Sequence, residues 1–144
     1  ILIIGVFYNV WMIKDNYNSS NSQPIKYMEE NIKDTDTVIY TDCGVGSVAA
    51  NHCIDEKVYF LNEDNWGVEE AYKAFGPNYE TVINRDFMKD CSDRVWIIDN
   101  AYGTAYEDLY GNKTSEYKKI SEEKFFTAYH NYAWKITLVE KINK

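Results

Sequence analysis

Apolar and polar positions fall in blocks along the chain. The opening block, from Ile1 to Ile13, is almost wholly apolar, and Ile3, Phe7, Val10, Trp11 and Tyr17 lie near one face at helical spacing, which predicts a helix. A polar stretch, Lys14 to Gln23, follows as a linker. Pro24 then marks a helix start, because proline is tolerated where its missing amide has no helical partner. Ile25, Met28 and Ile32 supply the apolar face of this second helix, which runs through Lys33. After the acidic turn DTDT come the strand VIYT, a short glycine-containing connection ending in GSVAANHC, and a second strand, VYFL, from Val58. This is a strand, helix, strand unit.

Val68 to Phe75 has helical character and stops at Gly76 and Pro77. ETVIN and RVWIID are the next strands, with room for one helical turn in DFMKDCSD between them. The half after Asn100 is less regular and predicts a loop plus a short helix. Phe125 to Tyr129 and Trp134 to Ile142 alternate as two antiparallel strands around HNYA. The element order predicts an α/β fold: a three-layer Rossmann-like sheet, mainly parallel with an antiparallel C-terminal edge. Residues 23–144 are expected to form one domain, preceded by a helix end and linker over residues 1–22.

Composition changes the picture in two ways. With 45% apolar and 26% charged residues the chain has the profile of a folded globular domain. The net charge of −8, with no run of lysines or arginines to neutralise phosphates, argues against nucleic acid as a partner. The abundance of tyrosine does not define a sugar-stacking surface, since the joint excess of Asn, Lys, Ile and Tyr is also what an AT-biased coding sequence gives. Cys43, Cys53 and Cys91 match no zinc spacing, and adding His52 and His130 gives only scattered ligands, so no metal site is expected. A Cys43 to Cys53 disulfide is compatible with the spacing.

Two constellations carry candidate chemistry. Gly44, Gly46 and Ala49 read G-x-G-x-x-A directly after a strand, and Glu63 and Asp64 follow the next strand, where a dinucleotide site places its ribose-binding acid. The competing explanation is a tight strand-to-helix turn, favoured by the short crossover. Ser47 belongs to the same loop. Asp42, Asn62, Asp64, Trp66, Asp99 and Asn100 are expected at the carboxyl ends of strands, where ligands of open α/β sheets collect, with Trp66 as a stacking face. The candidate ligand-binding set is therefore Asp42, Gly44, Gly46, Ser47, Asn62, Asp64, Trp66 and Asp99. No pair of residues is singled out as nucleophile and base, so no catalytic residue is assigned, and no cofactor is called for.

The helix PIKYMEENIK, the segment D-x-V-I-Y at Asp36 to Tyr40, the strand VYFLN, the R-V-W signature at Arg94 to Trp96 and the closing strand YAWKITLVEKI occur in a distinctive order. This order resembles the soluble C-terminal region of bacterial multi-pass glycosyltransferases that use polyprenyl-phosphate sugars, the family related to protein O-mannosyltransferases and aminoarabinose transferases. The resemblance covers nearly the whole chain. It implies a noncatalytic domain on the extracytoplasmic face of the cell membrane, partnered by the membrane part of the same parent protein and by a carbohydrate or lipid-linked acceptor. Ile1 to Ile13 would be the last turns of a spanning helix, since a full span needs about twenty residues; Tyr8 and Trp11 would lie at the interface. Freed from lipid, residues 1–13 are expected to self-associate. The alternatives are an independent Rossmann-like domain for a nucleotide or S-adenosylmethionine, to which the glycine pattern points, and a structural interaction module.

Overall fold

The computed structural model describes residues 2–17, 23–41, 57–61, 79–82, 85–100, 102–126 and 133–142. Helices α1 (Leu2–Tyr17) and α2 (Gln23–Asn31) precede strands β1 (Thr37–Tyr40), β2 (Lys57–Leu61) and β3 (Tyr79–Val82). A 3-10 helix (Asp86–Asp90), β4 (Arg94–Asn100), α3 (Ala105–Tyr110), β5 (Tyr117–Phe126) and β6 (Ala133–Lys141) complete the chain. The strands form one six-stranded sheet in the order β3-β2-β1-β4-β6-β5. The first four are mutually parallel, whereas β6 runs antiparallel to both β4 and β5. The fold is the expected three-layer Rossmann-like α/β sheet, mainly parallel with an antiparallel C-terminal edge.

The layers follow from the period of two along each strand. Val38, Tyr40, Trp96, Ile98, Trp134 and Ile136 project to one face and pack under α2 through Met28, with Ile25, Tyr27 and Ile32 at the margin. Ile39, Val95, Ile97 and Val139 project to the other face, against Phe87 and Met88 of the 3-10 helix and Ala105, Leu109 and Tyr110 of α3. Strands β1 and β4 are covered on both faces, which is why VIY and VWII read as continuous apolar runs rather than alternating ones.

Strand β5 begins at Tyr117, well before the expected Phe125. It is an edge strand, and Lys118, Lys119, Glu123 and Lys124 are exposed on it, which discourages pairing with further strands but hides the alternation of a buried strand. A register shift between Lys119 and Ser121 breaks the period again. Helix α1 extends to Tyr17, so the expected polar exit from Lys14 is in part helical. Ile4, Phe7 and Ile13 are 74%, 71% and 69% exposed, and no helix among the described residues is long and apolar enough to cross a membrane. Cys91 forms no disulfide among the described residues and its thiol donates to the Phe87 carbonyl at 3.7 Å, while Cys43 and Cys53 lie outside the described residues.

The amino edge of the sheet is locked by Asp36, which is 1% exposed. Its carboxylate accepts from Arg94 Nε at 3.2 and 3.3 Å, from the Trp96 indole at 2.8 Å and from the Lys33 amide at 3.2 Å. Arg94 Nη1 also donates to Glu140 at 2.9 Å, its register partner across β4 and β6. Ser92 adds a second tie: its amide donates to Thr37 Oγ1 at 2.9 Å and its hydroxyl to the Arg94 carbonyl at 2.5 Å.

Two stability predictions result. Asp36→Ala strips a half-buried guanidinium and a buried indole of their acceptor and should cost about 3 kcal/mol, whereas Glu140→Ala, at the half-exposed end of the network, should cost under about 1 kcal/mol. Urea unfolding of both variants checks the ranking, and equal costs would contradict the central role of Asp36. The Tyr110 hydroxyl is buried without a hydrogen-bond partner among the described residues. Burial, with Cys91 and Tyr117 alongside, pushes its phenol far above the ordinary tyrosine value. The folded chain then holds the proton more tightly than the unfolded one, so this contribution is present below about pH 10 and is lost as the pH rises further. Tyr110→Phe should therefore be neutral or stabilising by about 1 kcal/mol at neutral pH and should flatten the alkaline loss of stability, as read from unfolding curves at both pH values.

Candidate functional site

Strand β1 is flanked by β2 on one side and β4 on the other, so the strand order reverses beside it. A crevice opens at such a reversal of strand order, and ligands of open α/β sheets bind there. A cavity of about 260 Å³ lies at this edge, lined by Thr41, Leu61, Arg85, Asp99, Gly103, Thr104, Ala105, Asp108 and Leu109. The alternation that sends Ile39 and Ile97 toward α3 sends Thr41 and Asp99 the same way, two residues further on. The cavity is thus the end of the α3 side of the core, with Leu61 and Leu109 as its apolar walls.

Asp99 organises the floor. It is 4% exposed, and its two oxygens accept the amides of Asn100 at 2.8 Å and Ala105 at 3.1 Å, the latter at the start of α3. Gly103 lies so close to this carboxylate that an added Cβ would collide with it. Lys135, the register partner of Asp99, is only 5% exposed; its ammonium donates to the Gly103 carbonyl and lies 4.0 Å from Glu107. The turn before α3 is therefore held from both sides by two side chains of adjacent strands. Within it, Asn100 Oδ1 accepts the Tyr102 amide at 2.9 Å.

The outer wall is polar. Thr104 Oγ1 donates to Asp108 Oδ2 at 2.8 Å, and Arg85 Nη1 donates to the Asp108 carbonyl at 2.6 Å, tying the start of the 3-10 helix to α3. The Thr41 amide donates to the Ile98 carbonyl at 3.3 Å, whereas its buried hydroxyl finds no hydrogen-bond partner among the described residues. A buried hydroxyl without a partner costs free energy that a ligand or water at the cavity would recover. No group of three metal-ligating side chains occurs among the described residues.

Of the candidates read from the sequence, Asp99 lines this cavity. Asp42, Gly44, Gly46, Ser47, Asn62, Asp64 and Trp66 lie outside the described residues. Asp42 directly follows Thr41 and Asn62 directly follows Leu61, so the chain enters both candidate loops from the cavity rim. Arg85, Thr104 and Asp108 were not legible as site residues, because they come from a turn and a one-and-a-half-turn helix with no motif of their own. Thr41 had a usable signal as the residue closing the strand before the glycines.

The sequence matches no family model and no curated protein. Among solved structures, the chain is similar to an rRNA methylase from Streptococcus thermophilus, at 8% identity and a TM-score of 0.41, over 84% of this chain and 95% of that one. It is similar to TYW2 from P. horikoshii in complex with MeSAdo, at 10% identity and a TM-score of 0.46, over 87% of this chain and 64% of that one. A third is a complex of aTrm5 with tRNALeu, at 10% identity and a TM-score of 0.41, over 84% of this chain and 45% of that one.

These findings correct the resemblance drawn from the sequence. The solved structures named here are not extracytoplasmic glycosyltransferase domains, and the assignments to a membrane glycosyltransferase and to a membrane partner are withdrawn. The physical reason is that the two motifs carrying the resemblance, D-x-V-I-Y and R-V-W, are accounted for by folding alone: they are two buried strands joined by the contact of Asp36 with Arg94 and Trp96. The exclusion of nucleic acid is withdrawn as well, since one similar structure contains tRNA. A chain-wide net charge does not describe a local surface.

The packing of Gly103 gives a direct test of the site's floor. Gly103→Ala should destabilise the chain by about 2 kcal/mol by displacing Asp99 from the start of α3. Gly5→Ala, where nothing lies within 4 Å of the added methyl, should be neutral or slightly stabilising in urea unfolding.

Proposed function

We propose that this chain is an independent Rossmann-like domain that binds a nucleoside-containing small molecule, a nucleotide or S-adenosylmethionine, in the crevice beside β1. The observation that carries the proposal is the coincidence of the strand-order reversal with a cavity at the carboxyl edge. Three features support it. The pattern Gly44, Gly46, Ala49 begins three residues after Thr41 in the sequence and has the G-x-G-x-x-A spacing of nucleotide-binding turns. Asp64 comes three residues after Leu61, the end of β2, at the position from which an acid reaches ribose hydroxyls. The unpartnered Thr41 hydroxyl offers a hydrogen bond at the point where the two loops leave the sheet.

In this proposal Asp99 acts on the scaffold rather than on the ligand. Its oxygens hold the Asn100 and Ala105 amides, which sets the position of Thr104 and Asp108 on the outer wall. Leu61 and Leu109 supply the apolar contact that a flat heterocycle requires.

Isothermal titration with S-adenosylmethionine and with adenine nucleotides is the test. At least one should bind with a dissociation constant on the order of micromolar. Gly46→Val should abolish that binding without unfolding the chain, and Asp64→Ala should weaken it by about tenfold. Absence of binding up to millimolar ligand, or binding indifferent to both substitutions, would rule the proposal out.

A further inference from the structure

No described side chain of helix α1 belongs to either core of the sheet. Ile4, Val6, Phe7, Val10, Trp11 and Ile13 are each more than half exposed. Taking about 200 Å² for a whole side chain, they leave roughly 750 Å² of apolar surface in water. That exceeds the largest apolar patch of an ordinary monomer, about 300–600 Å², and approaches one side of a standard protein interface, about 800 Å². A helix of 16 residues is also marginal in water unless one of its faces is packed. Both magnitudes call for a protein-sized partner.

The pattern on the helix says which partner fits. Val6, Val10 and Ile13 follow one another at spacings of four and three, and Ile4, Phe7 and Trp11 at three and four, so each set forms a stripe along the axis. The two stripes differ in size. One is narrow and β-branched, whereas the other carries the two aromatic rings, and small side chains facing large ones interdigitate better than like facing like. A helix lying in a lipid surface presents a basic polar face, but α1 has no charged residue from Leu2 to Ile13. No described helix is long and apolar enough to cross a bilayer. The same absence of charge leaves nothing along the stripes to repel a second copy of the helix.

We infer that α1 is a self-association element: the narrow stripe of one copy packs against the broad stripe of the next, closing a bundle of three or more copies of this chain. The contact uses two different surfaces, so it is heterologous, and each copy engages a neighbour on either side. β-Branched residues at both spacings of a helical seam likewise favour more than two strands. The inference is independent of the binding function proposed for the cavity beside β1.

Sedimentation velocity of the intact chain between about 1 and 100 μM tests it, and should show a species of three or more copies that dissociates on dilution. Val10→Asp puts a carboxylate into the narrow stripe and should weaken association at least about hundredfold. Trp11→Ala, which truncates the broad stripe without adding charge, should weaken it at least about tenfold. Gly5→Asp adds the same carboxylate outside both stripes, where nothing lies within 4 Å of an added Cβ, and should change it by about threefold or less. Near-ultraviolet circular dichroism should find the sheet intact in all three variants, since α1 supplies no described side chain to either core. A monomer throughout the range would overturn the inference, as would association indifferent to Val10→Asp. A dimer unaffected by Trp11→Ala would overturn the pairing of unlike stripes. Binding of a monomeric chain to phosphatidylcholine vesicles, lost in Val10→Asp, would assign the helix to lipid and overturn the self-association.

Discussion

The interaction on which the rest of the structure depends is the buried carboxylate of Asp36. Taking a carboxylate out of water costs several kcal/mol unless donors surround it. Here three donors come from two places in the chain: the Lys33 amide after α2, and Arg94 and the Trp96 indole, both of β4. The carboxylate is satisfied only when α2, β1 and β4 arrive together in one register. That register pairs Thr37 with Val95 and Tyr40 with Ile98, and it thereby sets Thr41 beside the end of β4.

The two edges of the sheet are consequently different in kind. At the amino edge the polar groups are matched: Asp36 with its donors, Arg94 with Glu140, Thr37 with Ser92. At the carboxyl edge Asp99 and Lys135 use their charges to hold backbone amides and a carbonyl, which builds a stiff turn but leaves the Thr41 hydroxyl without a partner among the described residues. A buried network that is complete favours a unique packing, whereas an unmatched buried hydroxyl that borders a cavity, as that of Thr41 does, has room for a partner there. Cavity and unmatched hydroxyl coincide at the point where the strand order reverses, and the proposed binding function rests on that coincidence.

The same contrast explains why the signatures at the two edges pull in different directions. D-x-V-I-Y and R-V-W stand out in the sequence because a charged residue beside a buried strand is unusual, yet their charges meet each other inside the fold. They describe how the sheet is assembled. The glycines and acids that follow Thr41 and Leu61 stand out less, but they leave from the rim of the cavity.

The sequence by itself determined the order of the described strands, the doubly covered strands β1 and β4, helix α2 with Met28 as its anchor, and the antiparallel closing strand, while the helices expected at GSVAANHC and from Val68 to Phe75 lie outside the described residues. Each depends on local periodicity, and burial imprints periodicity on neighbouring residues. Asp99 was legible as a strand-end acid for the same reason. Only the tertiary structure decided that β5 begins at Tyr117, because an edge strand has one flank in solvent and its charged residues and register shift erase the local pattern. Only it decided that Asp36 and Arg94 are partners, that Gly103 is required by the Asp99 carboxylate, and that Arg85, Thr104 and Asp108 share a wall with Thr41. These relations join residues far apart in the chain, and a contact across such a distance leaves no periodic trace in either segment, since it is created by the order in which the strands pair.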